Sequence, residues 1–334
     1  MRPILLHGHL RSLTRIRYNS DGDLLFSASK DNKPCVWYSA NGERLGTFNG
    51  HNGAVWDLDV THNSRYLMTG SADNTCKMWE VETGKCVYTW ETRTAVRAVS
   101  FALGDEKALF VTDATMGQQS TIHIVPIEAD PEDQTSDVLR TIVVTGAKVT
   151  VAVWGNLNRT IVTGHEDGTI TEWNPDTGAK VKSSKNHEKA ITDIQFSADK
   201  SHFMSSSKDH TAHLTDSKTL KVMKSFVTER PVNSACLSPL RPHVVLGGGQ
   251  DAMDVTTTSL KGNKFESRFY HAVFEDEIGR VKGHFGPINT LAFHPSGRSF
   301  SSGGEDGFIR VHHLDEDYFE FKYDEENFDD LPQL

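Results

Sequence analysis

Short runs of alternating apolar and polar residues recur along the whole chain. Val55–Val60 alternates at a period of two, and Tyr66–Ser71 follows it after a polar stretch. Alternation over about six residues predicts a half-buried β-strand. The intervening stretches, such as residues 61–64 and 294–297, are rich in the polar, proline and glycine residues of tight turns. The pattern therefore predicts a succession of antiparallel hairpins.

Histidine, aspartate and tryptophan recur at fixed distances between these runs. A histidine precedes an aspartate by 22 positions in four pairs: His9 and Asp31, His51 and Asp73, His187 and Asp209, and His284 and Asp306. A tryptophan follows an aspartate by 6 positions in three places: Trp37 after Asp31, Trp79 after Asp73, and Trp173 after Asp167. Weaker copies surround Asp113 and Asp251. The chain is therefore predicted to contain seven repeated units.

Each unit is predicted to form one four-stranded antiparallel sheet. Two strands lie between the histidine and the aspartate, a third ends at the tryptophan position, and a fourth precedes the next histidine, as residues 44–48 do. The repeated unit resembles that of the WD-repeat family, which has a Gly-His pair early in the unit, a tryptophan late in it and a period of about 40–45 residues. The resemblance implies an all-β fold, a single seven-bladed WD-repeat β-propeller.

The repeated polar residues are interpreted as scaffold. In the second unit, the spacing allows a hydrogen-bonded chain through His51, either Thr69 or Ser71, Asp73 and Trp79. Because the same types recur from unit to unit, this interpretation is preferred to a metal site or an acid/base pair. No residue is predicted to be catalytic, to bind a cofactor or to ligate a metal.

The two chain ends have separate predictions. Residues 3–6 stand before Gly8-His9 as residues 45–48 stand before Gly50-His51, so the N-terminal strand is expected to complete the last blade. The propeller is assigned to residues 1–321 and an acidic C-terminal tail to residues 322–334. Two alternatives stay open near this boundary: disorder, or docking through Tyr318, Phe319 and Phe321.

Composition narrows the functional classes. The 334 residues include 35 basic and 45 acidic side chains, a formal net charge of −10. This balance argues against a protein that binds nucleic acid by itself, because such binding depends on clustered cations. No apolar run exceeds four residues, so no membrane helix is expected. The four cysteines form no Cys-x-x-Cys pair and are interpreted as reduced core thiols, which are typical of a cytosolic or nuclear protein. A cytoplasmic location is expected.

Two further motifs are interpreted conservatively. Residues 247–249 are three glycines, but the lysine and the helix of a phosphate-binding loop are missing. A basic cluster in the first unit is interpreted as solvated rim, with contact to RNA or to an acidic partner as the alternative; its members are Arg11, Arg15, Arg17, Lys30 and Lys33. No sequence-specific nucleic-acid binding is expected.

Four stretches go beyond what a propeller requires. Residues 1–9, 246–251 with 254–258, 279–289 and 303–313 resemble the i subunits of eukaryotic translation initiation factor 3, and the resemblance extends from residue 1 to residue 321. It implies a non-catalytic scaffold that binds the b and g subunits of that factor, supports assembly of the 40S preinitiation complex, and assists mRNA recruitment and scanning. The alternative is a receptor-associated WD-repeat signalling adaptor; residues 247–251 and 303–313 favour the initiation factor.

The resemblance also implies a partner site. The family binds a C-terminal helix of the b subunit beside the fifth and sixth blades, which here points to Asp199, Leu214, Asp216 and Leu220. Leu214 would be the apolar anchor, and the two aspartates would pair with basic residues of the helix. The alternative is that Leu214 belongs to the core and that Asp216 is a turn carboxylate.

Overall fold

The chain folds into seven four-stranded antiparallel sheets, which we call blades 1 to 7. The computed structural model describes residues 3–115, 117–249 and 265–322. The predicted all-β, seven-bladed WD-repeat propeller is confirmed. Asp251 and residues 254–258 of the sequence motifs lie outside the described residues, as do residues 323–334 of the acidic tail.

The first strand, β1 (Ile4–Leu6), precedes blade 1. Blade 1 consists of β2 (Leu13–Tyr18), β3 (Leu24–Ser29), β4 (Cys35–Tyr38) and β5 (Arg44–Thr47). Blade 2 consists of β6 (Val55–Val60), β7 (Tyr66–Ser71), β8 (Thr75–Glu80) and β9 (Cys86–Glu91). Blade 3 consists of β10 (Val96–Phe101), β11 (Lys107–Thr112), β12 (Thr121–Pro126) and β13 (Arg140–Val143). Blade 4 consists of β14 (Val149–Trp154), β15 (Ile161–His165), β16 (Thr169–Trp173) and β17 (Lys180–Lys185).

The remaining blades repeat this arrangement. Blade 5 consists of β18 (Ile191–Phe196), β19 (His202–Ser207), β20 (Thr211–Asp216) and β21 (Val222–Val227). Blade 6 consists of β22 (Val232–Leu237), β23 (His243–Gly248), β24 (Glu266–His271) and β25 (Glu277–Lys282). Blade 7 consists of β26 (Ile288–Phe293), β27 (Ser299–Gly304), β28 (Ile309–His313) and β1. Short 3₁₀ turns lie at Pro131–Asp133 and Asn156–Asn158, and a single helical turn, α1 (Glu316–Glu320), follows blade 7.

The first strands of the blades surround a central channel, and each contacts the first strand of the next blade. The second strands are almost entirely buried, as in Tyr66–Ser71, whereas the fourth strands are largely exposed, as in Arg44–Thr47. We call the face with the repeat histidines the upper face. The opposite, lower face contains the turns between first and second strands.

The ring closes through its two ends. β1 pairs antiparallel with β28, with Ile4 opposite Val311 and Leu6 opposite Ile309. The N-terminal strand therefore completes blade 7, as the sequence predicts. Leu6 is 1% exposed and packs with Trp37 of blade 1, so the closing strand also joins the core between blades 7 and 1.

An ion pair crosses the channel near its axis. The guanidinium of Arg15 in blade 1 contacts Asp57 of blade 2 at 3.1 Å and Asp193 of blade 5 at 2.5 Å. Arg15 is buried, so the interpretation of this residue as solvated rim is wrong. Its position follows from a shift in strand register between Leu13 and Arg15, a bulge that re-aims the side chain.

The segment after blade 7 docks against blade 6. Asp315 caps α1 by accepting from the backbone N–H of Tyr318. The Tyr318 hydroxyl lies 2.9 Å from Nδ1 of His243, and Arg241 donates to the carbonyl of Phe319 at 3.3 Å.

No helix among the described residues is long and apolar enough to cross a membrane. Cys86 is exposed, so it is not one of the predicted core thiols.

The closing strand offers a matched pair of substitutions. Replacing Leu6 with alanine removes a buried side chain, and we expect the free energy of unfolding to fall by about 2–5 kcal/mol. Leu5→Ala changes a side chain that is 52% exposed on the same strand, and we expect a loss below about 0.5 kcal/mol. Urea titration monitored by tryptophan fluorescence measures both, and equal losses would contradict the assigned register.

Candidate functional site

The repeat residues form hydrogen-bonded chains near the upper face. In blade 2, Nδ1 of His51 lies 2.8 Å from Asp73, and Nε2 lies 2.7 Å from Oγ1 of Thr69. The indole N–H of Trp79 donates to the same hydroxyl at 2.8 Å. Asp73 also accepts from the backbone N–H of Asn52. The chain thereby fastens the entry loop to the sheet.

The same arrangement occurs in other blades. The His-to-Asp distances are 2.9 Å for His9 and Asp31, 3.1 Å for His187 and Asp209, and 3.1 Å for His284 and Asp306. The second ring nitrogens lie 2.8–2.9 Å from the hydroxyls of Ser27, Ser205 and Ser302. Trp37 donates to Ser27 at 2.8 Å. All of these polar groups are satisfied within the scaffold, which gives them a structural use in this fold.

Blade 4 forms a similar hydrogen-bonded chain, but its histidine comes from another position in the blade. Nε2 of His165, at the end of β15, lies 3.0 Å from the hydroxyl of Thr163, and Trp173 donates to that hydroxyl at 2.9 Å. Nδ1 of His165 lies 3.1 Å from the carbonyl of Ala147. Asp167 accepts from the N–H of Thr169 instead. The sequence signal for this substitution is a histidine two residues after the strand hydroxyl.

Blades 3 and 6 lack the hydroxyl on which the chain depends. Phe110 and Leu246 occupy the register position that Thr69 holds in blade 2. Phe110 stacks on His123 with 4.9 Å between ring centroids. Asp113 pairs with Arg97 at 2.9 Å and with Lys148 at 2.8 Å, so an aspartate predicted as part of a repeat connects blade 3 to blade 4.

Blades 5 and 7 keep the histidine but replace the tryptophan. Thr215 and His312 stand at the tryptophan position. His312 stacks on Phe300 at 4.8 Å, and burial, followed by the nearby His284 and Arg310, lowers the pKa of His312 to about 4. The variation leaves no cluster of three metal-binding side chains among the described residues.

The predicted partner residues divide into two groups. Leu214 is 7% exposed and lies in the core between blades 5 and 6, and Leu220 is 1% exposed against blade 4 residues. The structure therefore makes Leu214 unavailable as a surface anchor, because the third strand of a blade is covered by its neighbour. Leu220 is likewise core. Asp199 is exposed and Asp216 is partly exposed, both at the lower edge of blade 5.

Hydrogen bonds hold both aspartates in the ionised form. The pKa of Asp216 is lowered by the hydroxyl and the backbone N–H of Thr219, and that of Asp199 by Ser197 and Ser201. Asp216 is thus a turn carboxylate that remains partly open to solvent. Next to its turn, β21 begins with Val222 and Met223, which are 39% and 56% exposed. The sequence analysis did not identify this apolar pair.

Comparison with known proteins supplies the family. The EIF3I family model matches residues 1–324. The chain belongs to the EIF3I family. Proteins named eukaryotic translation initiation factor 3 subunit I are 52% identical to it: that of Bombyx mori over 97% of this chain and 99% of its own length, that of Xenopus tropicalis over 97% and 100%, and that of Aspergillus oryzae over 98% and 98%. The predicted family resemblance is confirmed, and membership supports a role in translation initiation.

The contribution of the shared hydroxyl to the stability of this EIF3I propeller can be tested at Thr69 in blade 2. Thr69→Val leaves His51 and Trp79 without their shared partner, and we expect a loss of about 2–4 kcal/mol in the free energy of unfolding. Thr69→Ser keeps the hydroxyl, as Ser27 does in blade 1, and should cost about 1 kcal/mol for the lost methyl group. Urea titration distinguishes them. A loss in Thr69→Val no larger than that in Thr69→Ser would contradict the role of the shared hydroxyl.

The buried histidine of blade 7 predicts a pH dependence. The pKa of His312 lies near 4, below the ordinary 6.5, so the unfolded chain binds a proton first as the pH falls. Its contribution to stability is present above pH 6.5 and is lost between pH 6.5 and 4. His312→Phe should flatten the dependence of unfolding free energy on pH by up to about 1.4 kcal/mol per unit. A pH dependence in His312→Phe equal to that of wild type would refute the assignment.

Proposed function

We propose that this chain is a non-catalytic, cytoplasmic scaffold subunit of eukaryotic translation initiation factor 3. It binds the b and g subunits and thereby supports assembly of the 40S preinitiation complex, mRNA recruitment and scanning. The observation that carries this proposal is the family match over residues 1–324. The structure adds support, because the repeated histidines and aspartates are engaged in holding the propeller together.

The lower edge of blade 5 is the proposed site for a helix of the b subunit. Asp199 lies in the turn between β18 and β19, and Asp216 ends β20. His202, at the start of β19, pairs with Asp216, so the two turns meet at the same end of the blade. Two carboxylates on one edge favour a partner helix with arginine or lysine residues.

The apolar part of this site is assigned to Val222 and Met223 in place of Leu214. Both side chains are exposed on the outermost strand of the blade, and Val222 is paired with Thr215 next to Asp216. An amphipathic helix could set one apolar side chain on this pair and one basic side chain near the carboxylate. Such a combination is typical of helix recognition. The g-subunit contact rests on the resemblance alone and is assigned to no blade.

Affinity purification of the tagged full chain from cell extract tests the scaffold. We expect wild type to recover the b and g subunits, and Asp216→Arg/Met223→Asp to reduce recovery of b at least about tenfold by reversing charge and removing the anchor. Met223→Asp alone, which leaves the Asp216 turn intact, should reduce it in the same direction. Mass spectrometry quantifies both subunits, and circular dichroism checks folding.

A matched control is available on blade 1. Asp21→Arg/Leu45→Asp makes the same chemical changes at an exposed lower turn and at an outermost strand, and should retain both subunits. Undiminished recovery of b by the blade 5 variants would overturn the site. Failure of wild type to recover either subunit would overturn the scaffold proposal itself.

A further inference from the structure

The lower end of the central channel, which we call the lower mouth, contains a cavity of about 470 Å³. Its walls include the aromatic side chains of Tyr18, Trp154 and Phe293, and it is lined by the cationic residues Arg15, Arg17 and Lys200. Asp59 is the only acidic residue among the described residues that line it. Arg15 is already engaged by Asp57 and Asp193. The charge balance of the mouth therefore depends on Arg17, Lys200 and Asp59.

Arg17 is incompletely paired. Its Nη1 lies 3.4 Å from Asp59, and its buried Nε has no hydrogen-bond partner among the described residues. Asp59 is itself occupied, because it accepts from the backbone N–H of Phe101 at 2.8 Å and from that of Val60 at 3.0 Å. A guanidinium presents five N–H donors. Arg17 thus has N–H donors beside the cavity that its contact with Asp59 does not use.

Lys200 is the second cation at this mouth. Its Nζ makes one long contact, 3.4 Å, to the carbonyl of Trp154. Burial lowers the pKa of Lys200, and the nearby Arg17 lowers it further, whereas Asp59 acts in the opposite direction. Two cations that repel each other beside one cavity would both be stabilised by an anion between them.

We propose that the lower mouth of the channel binds a phosphate group between Arg17 and Lys200. Two cations suit a phosphate, which carries about −1.5 to −2 charge near pH 7, better than a singly charged carboxylate. The cavity is larger than one phosphate ion, and its aromatic walls can accommodate an organic group that bears the phosphate. The site adjoins the proposed contact with the b subunit, because Lys200 lies next to Asp199 in the turn between β18 and β19.

Thermal unfolding of the full chain with inorganic phosphate, against sodium chloride at equal ionic strength, provides the test. A ligand that binds only the folded state raises Tm by an amount that grows with the logarithm of its concentration above Kd. We expect this rise for wild type and at least about a tenfold weaker apparent affinity for Arg17→Gln and Lys200→Asn. Asparagine suits position 200, where φ is 54°, because it tolerates left-handed backbone.

Lys33→Gln removes one cation from an exposed turn on the upper face and should bind phosphate like wild type. Isothermal titration with phosphate at 15 °C, roughly 30 °C below a typical mesophile Tm, separates lost binding from lost stability. Acetate, the carboxylate probe, should bind more weakly than phosphate. The proposal is overturned if the titration shows no saturable binding of phosphate to wild type, if both mouth variants bind phosphate like wild type, or if acetate binds as tightly as phosphate.

Discussion

The pairing of β1 with β28 is the constraint on which the rest of the propeller depends. A blade by itself leaves apolar side chains on both of its faces, and only a closed ring gives every blade a neighbour on each side. Three residues at the start of the chain, Ile4–Leu6, provide that closure. Burial of Leu6 against Trp37 couples the backbone pairing to side-chain packing. The ring therefore combines a short ladder with a continuous core.

Within this ring, polar residues set the blade geometry in two ways. Near the upper face, shared hydroxyls such as Thr69 join a histidine, a tryptophan and a turn aspartate. Blades 3 and 6 lack this hydroxyl and have Phe110 and Leu246 at the same register position. Along the axis, Arg15 connects three blades through two carboxylates. A buried cation with only one of these partners would be costly, so the channel residues form a mutually dependent group.

The fold and the closing strand could be predicted because they depend on spacing, which the sequence displays directly. The burial of Leu214 could not be predicted, because a strand in the middle of a blade is covered on both faces. Alternation of apolar and polar residues does not distinguish a face covered by solvent from one covered by a neighbouring blade. His165 escaped prediction for another reason: an imidazole can reach the Thr163 hydroxyl from two backbone positions. The cationic channel mouth depends on residues far apart in sequence, such as Arg17 and Lys200, which only closure brings together.

Closure by the chain ends also has a consequence for synthesis of the protein. Among the described strands, β1 leaves the ribosome first and must wait for β28, which leaves last, since Leu5 pairs with Arg310. Until then the growing chain is an open arc with an unsatisfied edge at each end. Contacts over such sequence separations slow folding, and exposed edges invite association with other chains. The nascent protein is therefore most exposed to aggregation in the interval before residues 309–313 emerge.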